Sequence, residues 1–324
     1  MFDIIIFGSG TRDRYMILDP KNKKNGEEIT FSYGSKIDTQ EIKSFTGGGG
    51  TNVACALSKI GFKTSWWGMI GNDQEGKDII DDIKKFGVNK NFVKISKDKG
   101  SNQSIILMYP GSERTILTYR GASNDFSLQD INFSKLKSKW IYIAPFGGKS
   151  LEIFEPVLKH AQKNGIKTMV NPGSSQIEYI KNGKIDILGL IDIISINEEE
   201  GAQLSGENKD DIQGIIKKIA PFIKNILIVT KGEKGCYVYE KQNNKLYTAG
   251  VIKTNIVDMT GAGDSFNSGF LAGYIKKDIV YGIQLGSAES SYNISNWGAK
   301  FNLLSNNDDW EKIDVKIEDF NVLI

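Results

Sequence analysis

The stretch 257–270, VDMTGAGDSFNSGF, sets a carboxylate directly behind three residues that carry almost no side chain. Apolar residues lead into Gly261, Ala262 and Gly263, then Asp264, then a helix-like pattern. Thr260 stands where it can cap a helix whose first turn is 261–263. First-turn amides have no partner inside a helix, and the macrodipole adds positive potential there. With no bulky side chain in the way, a phosphate or a developing oxyanion can rest on them. Asp264 then reads in two ways. As structure it is a helix-start carboxylate favoured by the dipole. As chemistry it takes a proton from an alcohol while the amides hold the phosphoryl group that the alcohol attacks. The local sequence does not choose between the two.

Two other glycine runs invite chemistry. GSGTRD (8–13) follows a strand-like run and starts like a dinucleotide fingerprint. It has Asp13 where the last glycine should be, and no helical pattern follows, which argues against a dinucleotide cofactor and an oxidoreductase. GGGGTNVA (47–54) lacks the Gly-Lys-Ser/Thr of a P-loop. Gly47–Gly50 is either a plain turn or a place where backbone approaches whatever sits at the next helix start. In the second case Asn52 is a polar handle.

Composition narrows the partners. Lys+Arg 41 against Asp+Glu 39 leaves a net charge of +2 and no broad basic field, so no nucleic-acid partner is expected. MFDIIIFGSG lacks the basic start of a secretory signal, and IDILGLIDIISI (185–196) is too short and too acidic to span a bilayer, so no membrane partner is expected either. Cys55 and Cys236 read as buried free thiols, which fits a reducing cytoplasm. His160 is the only histidine and sits in a surface-helix pattern ending at Gly165. Acid–base work therefore falls to carboxylates, and Cys/His metal sites are excluded by count.

The elements that must position these residues alternate. DIIIFG (3–8) reads as a buried strand, TGGGGTNVACALSKIG (46–61) as glycines that pass into a helix with apolar Val53, Ala54, Leu57 and Ile60, KTSWWGMIG (63–71) as one strand, and DQEGKDIIDDIKKFG (73–87) as an amphipathic helix. Strands are predicted near 140–144, 166–170, 191–196 and 225–230, with helices near 150–164, 197–205 and 209–222. GCYVYE and KLYTAG read as antiparallel strands, followed by helices at 261–275 and 279–297. Such alternation predicts a mostly parallel sheet covered on both faces. Residues 14–46 and 103–120 differ. They hold a polar loop, half-exposed strand patterns and a hairpin about PGSE (110–113), suited to a small separate sheet.

VDMTGAGDSFNSGF resembles the C-terminal signature of the ribokinase-like (PfkB) carbohydrate kinase family. Three further segments resemble that family in the right order: GGGGTNVACALSKIGFKTSWWGMIGNDQEG (47–76), SINEEEGAQLSG (195–206) and VTKGEKGCYVY (229–239). The resemblance covers nearly the whole chain. It implies a three-layer α/β/α ribokinase-like fold with a mostly parallel central sheet and a small β-sheet lid. The main domain would be 1–13, 47–102 and 121–324, and the lid 14–46 and 103–120.

The resemblance also implies roles. Asp264 would be the catalytic base, and the amides of Gly261, Ala262 and Gly263 the anion hole for the γ-phosphoryl group. Asp13, Gly47, Gly48 and Asn52 would hold sugar hydroxyls. Asn197 and Glu200 would organise Mg²⁺ and the phosphates, Thr230 and Gly232 would meet ATP, and Asp258 and Thr260 would help hold a monovalent cation, usually K⁺. Thr11 and Arg12 replace the Asn-Ala of ribokinases, and YIAPFGG (142–148) lacks their glutamate, so ribose itself is not implied. Arg12, Arg114 and Arg120 read either as solvated lid residues or as receptors for an acidic or phosphorylated sugar. The expectation is an ATP-dependent sugar kinase of the ribokinase, fructokinase or 2-keto-3-deoxygluconate kinase type. A nucleoside kinase, with Phe31, Tyr33 and Phe45 near the acceptor, is the alternative, and a non-catalytic sugar- or nucleotide-binding relative is the rival outside the enzymes. The apolar SIILMY (104–109) suggests a homodimer through the lid.

Overall fold

Ile4 to Phe7 carry no solvent-exposed surface, so the strand they form is covered on both faces. This is β1 (Phe2–Phe7), in a computed structural model that describes residues 1–19, 21, 24–25, 28–109 and 114–322. Similar apolar runs build the rest of a nine-stranded sheet: β6 (Thr64–Trp67), β11 (Ser138–Ile143), β12 (Lys167–Val170), β13 (Ile193–Asn197), β14 (Ile226–Thr230), β15 (Cys236–Glu240), β16 (Lys245–Ala249) and β17 (Lys316–Asp319). The strands run in the order β17-β16-β15-β14-β13-β12-β11-β1-β6. From β6 to β14 every pairing is parallel, and the last three strands add on antiparallel.

Helices cover both faces. On one lie α3 (Phe154–Lys163), α4 (Ser174–Lys181), α5 (Glu198–Ser205) and α6 (Ile212–Ile219). On the other lie α1 (Gly49–Lys59), α2 (Gln74–Lys85), α7 (Ala262–Lys276) and α8 (Ile279–Ile294). The fit to the sheet follows from spacing: Ile212, Ile215, Ile216 and Ile219 form one buried stripe of α6. Helices α7 and α8 approach closely because glycines face one another. A Cβ on Gly269 would stand 2.6 Å from the Leu285 carbonyl oxygen, and one on Gly273 would stand 2.7 Å from Gly282 Cα. This contact fixes the axis of α7, and with it the place of its first turn.

A second sheet has the order β10-β9-β2-β5, with β2 (Thr11–Leu18), β5 (Thr39–Gly47), β9 (Asn102–Met108) and β10 (Thr115–Tyr119). The chain enters it straight from the C-terminal end of β1 and leaves it from β5 straight into α1. The small sheet therefore stands over the C-terminal edge of the central one. Two short ribbons complete the fold, β3 (Lys24–Asn25) with β4 (Glu28–Ile29) and β7 (Met69–Gly71) with β8 (Lys94–Ser96).

Several details differ from the sequence reading. The strand expected over 63–71 breaks at Gly68, because β6 joins the central sheet while β7 pairs with β8. Helix α4 and strand β17 have too little apolar periodicity to be legible. The small sheet begins at Thr11, so Asp13 belongs to it rather than to the main body. Between Thr30 and Asp38 there is no strand, and the turn read at 110–113 lies outside the described residues. Among the described residues no helix is long and apolar enough to cross a membrane.

Candidate active site

The turn into α7 is made by glycine rather than by Thr260. Gly261 is the N-cap, with φ 81° and no side-chain cap. A Cβ there would lie 2.4 Å from Ala299 Cβ. Thr260 does not cap: its N–H donates to Asp258 Oδ1 at 3.0 Å, and its hydroxyl is buried without a partner among the described residues. Of the three amides expected to be free, that of Ala262 closes a turn onto the Met259 carbonyl at 3.3 Å. Among the described residues, nothing accepts from the amides of Gly261 and Gly263. Space above the Gly263 α-carbon is open.

Asp264 follows at once. Its Oδ2 accepts from Asn52 Nδ2 at 2.8 Å, and its Oδ1 lies 3.3 Å from where a Gly49 Cβ would be. Burial raises its pKa, opposed by the Asn52 hydrogen bond and the Lys300 charge. The side-chain oxygen of Asn52 is buried and without a partner among the described residues, so it can still accept from a ligand hydroxyl.

The glycine run at α1 plays a different part. Two of its amides are already used: Gly50 and Thr51 both donate to the Ser9 carbonyl, at 3.0 and 3.3 Å. Gly50 packs on Gly8, where a Cβ would meet backbone at 2.6 Å. This entrance is a close packing joint, and it leaves Gly47 beside Asp13 and Gly48 against Ser9 and Thr11. A Cβ on Gly47 would lie 2.0 Å from Asp13 Oδ2. Asp13 is 7% exposed, and Ser104 stands opposite it on β9. Burial pushes Asp13 up to about 6, against the Ser104 hydroxyl and the Lys300 charge; the neighbouring charges of Asp258 and Asp264 push the same way as burial.

Arg12 does not face that side. On β2, side chains alternate between faces, so Arg12 and Arg14 point away from Asp13. Arg12 pairs with Asp78 at 3.5 Å, and Arg14 bonds Gln103 and pairs with Glu75 at 2.7 Å. Arg120 is exposed, and Arg114 is half-buried, its Nε enclosed and without a partner among the described residues. Of the aromatics weighed for a nucleoside base, Phe31 and Tyr33 are exposed, while Phe45 stands directly opposite Asp13 on β5 and packs edge-on against Tyr15 and Phe301.

On the other side of α7, a cavity of about 450 Å³ is lined by Thr230, Gly232, Val251, Ala262, Gly263 and Phe266, among others. Thr230 ends β14 directly opposite Asn197, the last residue of β13. Asn197 and Glu200 cap α5 reciprocally, Asn197 Oδ1 accepting from the Glu200 amide at 2.8 Å and Glu200 Oε2 from the Asn197 amide at 3.0 Å. Burial lifts Glu200 to about 7 against that hydrogen bond, helped by Glu199 and Glu198. Lys231 is tied to Asp210 at 2.8 Å. No group of three or more His, Cys, Asp or Glu among the described residues forms a closed metal cage. Glu200 keeps one oxygen outside the cap, which suits a cation that takes its remaining ligands from water and phosphate.

Residues 16–306 match the model of the pfkB family carbohydrate kinases. The chain belongs to this family. It is a sugar kinase of the pfkB type. The ribokinase of Haemophilus influenzae is 27% identical over 308 residues, covering 92% of this chain and 94% of that one. A probable fructokinase-5 of Arabidopsis thaliana is 32% identical over 243 residues, 69% of this chain and 72% of that one. Among solved structures, the nucleoside kinase of Methanocaldococcus jannaschii, an archaeal member of the ribokinase family, superposes with a TM-score of 0.79 at 22% identity, covering 95% of this chain and 96% of that one. An Arabidopsis thaliana ribokinase complexed with ribose and ATP superposes at 0.78 with 20% identity, over 94% and 96%. The fold is thus that of the ribokinases, as the motifs implied.

Three residues near the site have no motif to announce them. Lys300, with a side chain 6% exposed, donates to Thr46 Oγ1 at 3.0 Å and Asp82 Oδ2 at 3.2 Å. Asn293 has a buried oxygen without a partner, 3.5 Å from where a Gly261 Cβ would be. Tyr15 reaches Asp258 from the small sheet. Each comes from a segment whose local pattern is ordinary, and only the fold brings it in.

Proposed function

We propose that this pfkB kinase transfers the γ-phosphoryl group of ATP to a hydroxyl of a sugar or sugar-like molecule, with Asp264 as base. The observation that carries the reading is the position of Asp264 between two half-sites. Asn52 and Asp13 lie on its acceptor side, and the cavity lined by Gly263 and Thr230 lies on the other. Asp13, Gly47, Gly48 and Asn52 hold acceptor hydroxyls. The unpartnered Asn52 oxygen supports this, because a buried acceptor without a partner rewards a ligand that fills it. Asp264 takes the proton of the attacking hydroxyl while the amides of Gly261 and Gly263 steady the charge on the group in flight. Thr230 and Gly232 line the nucleotide cavity.

Asn197 and Glu200 would hold Mg²⁺ together with the phosphates, and the ion would supply charge neutralisation. Asp258, Thr260 and Asn293 would hold K⁺; the orphaned oxygens of Thr260 and Asn293 fit a cation that takes oxygen ligands. The small sheet acts as a lid that excludes water from the acceptor. Its outer side carries exposed Ile42 and Leu117 on strands β5 and β10, which suits a homodimer through the lid. The free buried thiols of Cys55 and Cys236 suit the cytoplasm.

The test is ATP consumption with Mg²⁺ against ribose, fructose, 2-keto-3-deoxygluconate, hexose phosphates and adenosine. A free sugar should turn over better than a hexose phosphate, because Arg12 is paired with Asp78 on the face turned away from Asp13; Phe45, opposite Asp13, makes adenosine the competing outcome. Asp264→Asn should lower kcat by about 10²-fold or more while the protein stays folded. Near-normal turnover in that variant would overturn the assignment of the base.

A further inference from the structure

The hydroxyl of Tyr15 donates to Asp258 Oδ2 at 2.7 Å, joining residues 243 positions apart in the chain. Tyr15 has no exposed surface. Its ring is held edge-on by Phe45, centroid to centroid 5.7 Å, and by Trp297 at 5.6 Å. It lies two residues after Asp13 on the same strand and so on the same face of the small sheet. Asp258 is the hub of the turn before α7. Its Oδ2 also accepts from the Gly298 amide at 3.0 Å, and its Oδ1 accepts from Thr260 at 3.0 Å. Ala299, next to Gly298, closes on Gly261.

We propose that Tyr15 is a positioning residue, through which the strand that carries the acceptor-side Asp13 also sets the turn that aims the α7 amides. The proposal rests on the reading of those amides as the γ-phosphoryl site. A buried carboxylate with three donors has one preferred pose, since charge-assisted hydrogen bonds are short and directional. Removing the hydroxyl leaves Oδ2 with one donor, and frees Asp258 and Thr260 to tilt. The amides then lose aim for the terminal phosphate, while the rest of the nucleotide cavity, on the far side of α7, is untouched.

Tyr15→Phe keeps the ring and its packing. Titrating ADP and the non-hydrolysable analogue AMP-PNP separates γ-phosphate recognition from nucleotide binding. The expected result is a Kd for AMP-PNP about 5- to 10-fold weaker than in the wild type, with that for ADP within twofold. With D-ribose and D-fructose as acceptors, kcat should fall about tenfold with ADP affinity intact. Should Tyr15→Phe not fold, Asp258→Asn carries the measurement, made with and without K⁺: selective weakening of AMP-PNP that persists without K⁺ reports the turn, and weakening seen only with K⁺ overturns the proposal. If both variants fold, their effects on AMP-PNP affinity should not add. Equal weakening of ADP and AMP-PNP, or no change in either, overturns the proposal. A wild type that shows no preference for AMP-PNP, together with an active Asp264→Asn, removes the γ-phosphoryl reading as well.

Discussion

Asn52 Nδ2 donates to Asp264 Oδ2 at 2.8 Å, tying the first turn of α1 to the first turn of α7 across 212 positions of sequence. The two helix starts meet at one carboxylate because both follow elements that end at the C-terminal edge of the sheet, where open α/β folds bind ligands. The contact also tunes the base. Asn52 opposes the rise that burial imposes on Asp264.

Asn52→Ala should therefore move the acid limb of kcat to higher pH. The sign follows from the contact: the amide stabilises the charged carboxylate, so its loss favours the proton. On the acid side of that limb kcat should fall below the wild type, with no such loss on its alkaline plateau. A pH–rate profile checks this, and an unshifted limb would mean that the titrating base is another group.

Gly261→Ala asks for a Cβ at φ 81° and 2.4 Å from Ala299 Cβ. The left-handed backbone costs about 1–2 kcal/mol and the overlap about 1–3 more. Denaturant unfolding should show the loss, with kcat reduced in the fraction that folds. Adding Ala299→Gly should recover the steric part and leave the backbone part. Full recovery would show that φ at this turn is of no consequence.

Asp13 should impose a pH limb of its own on the acceptor. Its ordinary value of 3.8 rises to about 6 in the fold. Between those values the native state binds a proton that the unfolded chain does not, so stability falls as pH rises from about 4 to about 6. The charged form that accepts acceptor hydroxyls is present above about 6. Below it, kcat/KM for the acceptor should drop about tenfold per pH unit. Asp13→Asn should remove this limb and lower kcat/KM throughout.

Glu289 gives a stability effect outside the site. It has no exposed surface, its Oε2 accepts from the Leu304 amide at 2.9 Å, and its Oε1 is buried without a partner among the described residues. Burial raises it from 4.5 to about 8, and the Asp308 charge adds to this against the Leu304 hydrogen bond. The native state holds the extra proton across that window, so stability falls as pH rises from about 4.5 to about 8. At pH 9, Glu289→Gln should melt about 3–6 °C above the wild type, and at pH 5 close to it. Equal melting temperatures at both pH values would mean that the carboxyl is solvated.

Much of this protein follows from local pattern. Runs such as Ile4–Phe7 and Ile226–Val229 can only be buried strands, and the 261–264 glycine-and-carboxylate turn announces itself because backbone donors need bare residues around them. Local chemistry, however, left two equal readings for Asp264, and it offered the same glycine signal at 47–50, where the Gly50 amide turns out to be spent on Ser9. What separates a used amide from a free one is which carbonyl the fold brings near, and that is a long-range matter. The same holds for Arg12, which strand alternation turns away from the acceptor, and for Tyr15, Asn293 and Lys300, whose partners lie on other elements. Side-chain type and spacing determined what groups were available. Only packing the α7–α8 pair against the sheet, with the small sheet above it, decided which of them share a low-dielectric cleft, because burial, partner distance and direction exist only in three dimensions.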